Sequence, residues 1–287
     1  MSYLATLINR WGLSIPRQLL RMYLLHRVEF LRLLRGLFDV LDQYDSRFTF
    51  PTVSSIASMR PDIVRLILPR GHEIASHGHV HLRYSHLSPQ QRQRDLLTSI
   101  AVLRRMGIEV RGFRAPYDNY TDDMPALIDR AGLLWDAGFG YRPEYRGMGH
   151  FFKVRAGDRE LTTTFIPLNI WSDDLMVDRL HMTTEQMSRR LRTEAKSAAR
   201  AGGVLMLDLH PIRIGQPAYR PCLEELLDQS RQLDGWCPTV TQAVEYWKRH
   251  HEWPDGHRFC LLLTGDIDNW TFGDYLRREI WRREYYS

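Results

Sequence analysis

Phe259-Cys260-Leu261-Leu262-Leu263-Thr264-Gly265-Asp266-Ile267-Asp268 decides the fold. Six uncharged residues form a continuous apolar run of strand length, the pattern of a strand buried on both faces. It breaks at a glycine into two closely spaced carboxylates. Charges at a buried strand end are costly unless paired or liganded. The competing reading is structural: Asp268 or Asn269 caps a helix over Trp270 to Trp281.

Working outward, similar strand-like runs occur at Arg47 to Phe50, His72 to His77, Val110 to Arg114, Leu133 to Asp136, Phe165 to Leu168 and Val204 to Leu209. Helical periodicity fills the intervals near Arg60 to Pro69, Ser88 to Met106, Asp122 to Ala131, Thr184 to Ala201, 221 to 233 and 240 to 250. Ser88-Pro89-Gln90-Gln91 marks one helix start, with a capping serine, a proline at the first helical position and a glutamine that closes a capping box. Regular alternation of strand and helix argues a parallel α/β sheet or barrel. Its chemistry is expected in the loops after the strands' C-terminal ends.

Composition excludes several classes. The chain has 287 residues, 44% hydrophobic and 25% charged, enough for a sizeable core in one or two domains. No run approaches the ~18 to 20 apolar residues of a membrane span, and no apolar leader with a cleavage site is evident. Cys222, Cys237 and Cys260 form no paired spacing, so neither a disulfide framework nor a thiolate zinc site is indicated. A cytoplasmic location is the expectation. The net charge of +5 comes from basic residues interspersed with acids, which argues against nucleic acid as a partner. The densest imbalance is in residues 1 to 37, where Arg10, Arg17, Arg21, Arg27, Arg32 and Arg35 face only Glu29. This segment reads as an amphipathic helix packed on the core, or as a helix lying on an anionic membrane surface at the inner face.

Five of the 12 histidines, His72, His77, His79, His81 and His86, cluster around one strand end. His77 and His81 have the i, i+4 spacing that converges on one ion if the chain turns helically, which Gly78 permits. Solvated loop histidines are the structural alternative. Arg114-Ala115-Pro116-Tyr117 follows another strand, and Leu209-His210-Pro211 ends a third. His210 alone reads as well as a core or capping histidine.

Together these residues resemble the polysaccharide deacetylase family, the NodB-homology group or carbohydrate esterase family four. Gly71-His72-Glu73-Ile74-Ala75-Ser76-His77-Gly78-His79-Val80-His81 resembles its metal-histidine motif, Arg114-Ala115-Pro116-Tyr117 its arginine and proline motif, and Leu209-His210-Pro211 its late histidine motif. Phe38 to Asp42, Arg47 to Pro51 and Arg60 to Val64 resemble the segments between them. The family's opening Asp-x-Asp strand should precede residue 38, and instead Thr264-Gly265-Asp266-Ile267-Asp268 supplies it. The resemblance therefore implies a (β/α)7-type distorted barrel, circularly permuted so that the first strand comes last, in one domain over 1–287. A truncated second copy beginning at 259 is the alternative. Gly78 stands where the family commonly has serine or threonine, and Asn269 where it commonly has glycine.

The resemblance implies that His77, His81 and Asp268 bind one divalent metal, zinc by preference, and that Asp266 is the general base. His210 would be the general acid, held by Asp173 or Asp174. Arg114 would orient Asp266, and the Tyr117 N–H would hold an oxyanion. The implied activity is removal of an acyl group, most simply acetyl, from an amino sugar of a glycan or linked intermediate. A non-catalytic carbohydrate-binding barrel and a metal-free cyclic-amide hydrolase are the alternatives. Tyr117, Trp135 and Trp171 are candidates for stacking on a sugar ring or for the core, and His79 is expected to point away from the metal.

Overall fold

The computed structural model describes residues 30–138 and 149–268. Its strands are β1 (Thr49–Thr52), β2 (Glu73–Ser76), β3 (Gly112–Phe113), β4 (Trp135–Asp136), β5 (Arg155–Ala156), β6 (Arg159–Glu160), β7 (Thr164–Phe165), β8 (Val204–Asp208), β9 (Gly235–Trp236) and β10 (Phe259–Thr264). Its helices are α1 (Phe30–Gln43), α2 (Ser54–Met59), α3 (Pro61–Ile67), α4 (Pro89–Arg105), α5 (Met124–Arg130), α6 (Thr184–Ala201), α7 (Pro211–Ile214), α8 (Arg220–Gln232) and α9 (Val240–His250). A π-helical turn spans Asp174–Arg179.

Eight strands form one curled sheet in the order β7-β4-β3-β2-β1-β10-β8, with β9 paired to the start of β10. Every pairing in it is parallel, whereas β5 and β6 form a separate antiparallel hairpin. Between β7 and β8 the Asn169 N–H donates to the Met206 carbonyl at 3.0 Å, a loose closure of the kind a distorted barrel has.

The last strand among the described residues is internal in space. β10 pairs with β8 from Cys260↔Val204 to Thr264↔Asp208. On its other edge it meets β1 at Thr49↔Thr264, and the pairing resumes at a Thr52↔Ile267 bridge. The interruption has a local cause. Pro51 lacks the N–H that would complete this ladder, although its carbonyl still accepts from the Ile267 N–H at 2.8 Å. All six β10 residues are buried.

Strand alternation decides which side chains reach the barrel interior. On β10, Phe259, Leu261 and Leu263 join the larger core beneath the helices, and Cys260 and Leu262 join a second core with Ala75, Trp135, Val204 and Met206. Continuing the same parity puts Asp266 and Asp268 on the interior side. It does the same for His77 after β2, Arg114 after β3, and Asp208 and His210 along β8.

Several expected elements are displaced. The first strand is Thr49–Thr52 rather than Arg47 to Phe50. The helix expected at Arg60 to Pro69 is α3 followed by a 3-10 turn, Leu68–Arg70. The strand expected at Phe165 to Leu168 is only Thr164–Phe165, because Pro167 cannot donate to a ladder. Capping boxes start α4, α6 and α9 alike. Of the basic N-terminal segment, the described part is α1, whose Leu34, Leu37, Phe38 and Leu41 pack into the larger core. Residues 1–29 and the helix read over Trp270 to Trp281 lie outside the described residues. No helix among the described residues is long and apolar enough to cross a membrane.

Of the two readings of Trp135, sugar platform or core, the structure places it in the core as a floor residue. It is fully buried, and its indole N–H points to Thr241 Oγ1 at 2.9 Å and Glu73 Oε1 at 3.2 Å. Glu73 in turn accepts from the Thr241 N–H at the start of α9 and from Thr49 Oγ1, so the strands' N-terminal ends close on this carboxylate.

Two predictions follow from this packing. A chain truncated after Arg258 exposes the facing edges of β1 and β8 and removes six buried residues. That loss is of the same order as the about 5–15 kcal/mol of a typical domain, so cooperative thermal unfolding is expected to vanish; a retained sharp transition contradicts the internal placement. His72 is buried against Phe38, with ring centroids 4.7 Å apart, and neither of its ring nitrogens has a partner. Burial, then Arg47 and Arg70, push its pKa down to about 4. A depressed folded-state pKa contributes stability above the unfolded value, lost as pH falls through the window from 6.5 to about 4. The loss reaches about 3 kcal/mol, and His72→Phe should flatten that acid slope in denaturation curves measured across the window.

Candidate active site

The polar ends of four strands meet at the barrel mouth. From β2 comes His77, fully buried, with its Nδ1 2.9 Å from the Arg114 carbonyl. That contact fixes Nδ1 as the donor and turns Nε2 toward Asp266. His77 Nε2 lies 3.1 Å from Asp266 Oδ2 but makes no hydrogen bond. Beside it, His81 Nε2 is 3.4 Å from Asp268 Oδ2, and the two imidazole centroids are 5.0 Å apart.

Arg114 joins β3 to the acids. Its guanidinium is 1% exposed and contacts Asp208 at 2.6 Å, Asp118 at 3.3 Å and Asp266 at 3.6 Å, with Thr264 Oγ1 accepting at 3.2 Å. The two buried acids respond differently. Burial would raise the pKa of Asp266, but Arg114 and His77 overcome it and hold the carboxylate ionised. Burial dominates at Asp208, which is pushed up to about 7 despite Arg114 and His210, with the Asp266 charge adding to the rise.

From β8, His210 directs Nδ1 to Asp173 Oδ1 at 2.7 Å, and its backbone N–H donates to Asp173 Oδ2 at 3.0 Å. Its burial opposes protonation, but Asp208 and Asp173 reverse this and hold the imidazole well above its ordinary pKa. Asp173 is the partner of His210, and Asp174 instead lies 3.2 Å from Arg213.

The expected ligands come together as two pairs rather than one trio. Among the described residues, the donor trios lying within 4.8 Å of one another are Asp173, Asp174, His210 and Asp208, His210, Asp266, and the expected set His77, His81 and Asp268 is not one of them. Asp266 faces His77, and Asp268 faces His81. Each imidazole–carboxylate separation is close to the roughly 3.3 Å edge of a tetrahedron of nitrogen and oxygen ligands on zinc. The buried Nε2 of His77 has no hydrogen-bond partner, so each pair offers donors to a divalent ion.

His81, Tyr117 and Asp118 have φ of 53°, 60° and 47°, left-handed conformations that are least common for the tyrosine. They are three of the eight non-glycine residues with positive φ among the described residues. The Tyr117 ring covers His81 with centroids 4.4 Å apart. Trp171 carries the Arg190 guanidinium 4.0 Å over its ring. His79 turns away, its Nδ1 2.8 Å from Ser54 Oγ.

Three contributors went unread in the sequence: Asp208, Asp118 and Asp95. Asp208 had a signal, as the one acid inside the apolar run Val204 to Leu209. Asp95 had none, because it lies within the long helix α4. Its Oδ2 accepts from the His79 N–H at 3.0 Å and from Tyr84 Oη at 2.7 Å. It also explains the departure at Gly78. A Cβ there would meet Asp95 Oδ2 at 2.7 Å, on a backbone with φ +75°. Asp95 therefore occupies the space of the motif's missing side chain.

Comparison with known proteins agrees with this architecture. Residues 32–134 match the family described as polysaccharide deacetylase. A chitooligosaccharide deacetylase of Bradyrhizobium sp. (strain ANU 289) is 31% identical over 97 residues, which is 33% of this chain and 44% of that protein. A second, from Sinorhizobium fredii, is 32% identical over 97 residues, 33% of this chain and 45% of that protein. These matches therefore span less than half the length of either curated relative. Among solved structures, a probable polysaccharide deacetylase from Pseudomonas aeruginosa PAO1 superposes with a TM-score of 0.66 at 20% identity, over 77% of this chain and 74% of that one. PuuE allantoinase gives 0.67 at 18% identity, also over 77% and 74%. Both show the fold. Residues 32–134 of the chain are thus similar to the polysaccharide deacetylase, or NodB-homology, family, and the fold is the one these solved structures share. The family match contains His77, His81, Arg114 and Tyr117; His210, Asp266 and Asp268 lie beyond it.

The packing at Gly78 yields a prediction. Gly78→Ser, which restores the common family residue, should destabilise the protein by about 1–3 kcal/mol through backbone strain alone. Thermal unfolding read together with zinc affinity checks this, and an unchanged midpoint contradicts it.

Proposed function

We propose that this protein is a metal-dependent deacylase that hydrolyses the N-acyl group, most simply acetyl, of an amino sugar in a glycan or linked intermediate. The observation that carries the reading is an ionised, buried Asp266 and a protonated His210 whose donor atoms lie within 4.8 Å of each other, beside the pairs His77–Asp266 and His81–Asp268. Two titratable groups poised in opposite protonation states are what amide hydrolysis needs. The curated relatives, chitooligosaccharide deacetylases by description, supply the substrate class. We also propose that β10 is the family's first strand, transferred to the end of the chain by circular permutation.

His77, His81 and Asp268 would hold the ion. A divalent ion there supplies Lewis acidity to the carbonyl and acidity to water. Asp266 takes the proton from the attacking water, kept charged for this by Arg114. A C–O bond forms as the carbonyl carbon becomes tetrahedral, and the Tyr117 N–H donates to its oxygen. His210 gives its proton to the amine nitrogen as the C–N bond breaks, leaving acetate and a free amino sugar. Asp173 fixes the tautomer and orientation of His210.

The test is acetate release from N-acetyl-chitooligosaccharides by zinc-loaded protein, with metal content measured alongside. Asp266→Asn and His210→Gln should each lower kcat by about 10²- to 10⁴-fold while the folded protein keeps its metal. Asp173→Asn removes an anion that raises the His210 pKa, so the alkaline limb of the pH–rate profile should move toward lower pH. Protein that stays metal-free in added zinc and releases no acetate would falsify the proposal. A metal-free protein that opens a cyclic amide favours the cyclic-amide hydrolase instead.

A further inference from the structure

Among the described residues, four arginines near the barrel mouth are neutralised by carboxylates and a fifth is not. Arg114 contacts Asp118, Asp208 and Asp266. Arg213 is enclosed by Asp173, Asp174 and Asp178. Arg92 pairs with Asp123, and Arg190, over Trp171, pairs with Glu194. Arg83 differs. Its guanidinium carbon sits 4.3 Å from the centroid of the Tyr117 ring, and among the described residues it has no acidic partner.

Its position is specific. The Tyr117 ring contacts both Arg83 and His81, the two ring centroids being 4.4 Å apart. The cation and a proposed metal ligand therefore share one aromatic neighbour. Tyr117 is 37% exposed, so the pair stands at the open rim. Stacking on the tyrosine face orients a guanidinium and leaves its N–H edge available in the fork that matches a carboxylate or phosphate. The left-handed backbone at Tyr117 sets the ring in this place. A stacked cation whose donors lack a protein anion, beside a reaction centre, has the chemistry of a subsite.

We propose that Arg83, stacked on Tyr117, binds an oxyanion, carboxylate or phosphate, carried by the N-acylated sugar that this site takes. The proposal rests on the deacylase reading and narrows its substrate to acidic or phosphorylated sugars. A charge-assisted, bidentate contact of this kind gives about tenfold or more in affinity. The gain appears in KM, because the anion is remote from the reacting carbonyl.

The experiment compares three probes with zinc-loaded protein: N-acetylglucosamine as the neutral reference, N-acetylglucosamine 1-phosphate and N-acetylmuramic acid. Acetate release is measured for wild type, Arg83→Gln, Arg83→Lys and the exposed control Arg189→Gln. The expected result is about a tenfold higher kcat/KM for one anionic probe than for the neutral one. Arg83→Gln removes that advantage through KM and leaves the neutral probe within about twofold, Arg83→Lys retains part of it, and Arg189→Gln changes nothing. Which anionic probe gains the advantage identifies the anion as phosphate or carboxylate. Equal rates on all three probes, or an equal loss on all three in Arg83→Gln, overturns the proposal. If none of the probes is turned over, calorimetric binding of the same three decides: selective weakening of an anionic probe in Arg83→Gln upholds the subsite, and no selectivity overturns it. Failure of the deacylase reading is separately visible, as anion-selective binding without acetate from any probe or from chitooligosaccharides.

Discussion

The site depends on a ladder that continues past the end of its strand. Beyond Thr264 the chain leaves β10, yet the Gly265 N–H reaches the Thr49 carbonyl, the Ile267 N–H reaches that of Pro51, and the Val53 N–H returns to Ile267. Ile267 is 1% exposed and belongs to the larger core. The residues on either side of it, Asp266 and Asp268, are therefore set by strand geometry rather than by a free loop. On the opposite edge the Leu209 N–H donates to the Thr264 carbonyl at 2.7 Å, which fixes the approach to His210. A terminal strand that had paired on one edge only could not have brought residues 77, 114, 210 and 266 to one place.

Once the backbone sets these positions, charge decides their states. Arg114 offers its cation to three carboxylates inside the protein, and they cannot all be ionised at low cost. Asp266 has a second support in His77 and stays ionised. Asp208 is the more costly charge to keep, since burial is its largest influence and Asp266 adds repulsion. The consequence reaches His210, which Asp208 and Asp173 together keep charged. Base and acid are thus separated by one network, and a change at Asp208 acts on both.

Much of this was legible at the ends of strands. Phe259 to Thr264 read as a buried strand, and the two carboxylates just past it stood out as charges at a buried strand end. The histidine pair and the Arg-Ala-Pro-Tyr turn were readable as polar residues at strand ends. What the sequence left open was pairing across long separations. Nothing local distinguishes Asp173 from Asp174 as the partner of His210; the choice follows from the π-helical turn that begins at Asp174 and points that carboxylate to Arg213. Trp135 looked equally suited to a sugar or a core, and only the floor contacts with Glu73 and Thr241 settle it. Asp95 is one polar residue among many on α4, and its role depends on the vacancy created by Gly78, 17 positions earlier.

The same vacancy shows how the strain at the mouth is held. Left-handed backbone at His81, Tyr117 and Asp118 costs of the order of 1–3 kcal/mol each, and each residue is tied down by a contact it could not otherwise make. His81 meets Asp268, Asp118 meets Arg114, and Tyr117 contacts both His81 and Arg83. Gly78 and Asp95 anchor the chain entering the first of these turns, and the buried Arg114 anchors the chain entering the second. The reversal at Tyr117 does two things within four residues: it leaves Arg114 in the barrel interior beside Asp266, and it lays an exposed ring over His81. Positioning of the base and the shape of the rim are therefore one conformational choice, so a backbone change that relaxed Tyr117 would disturb both together.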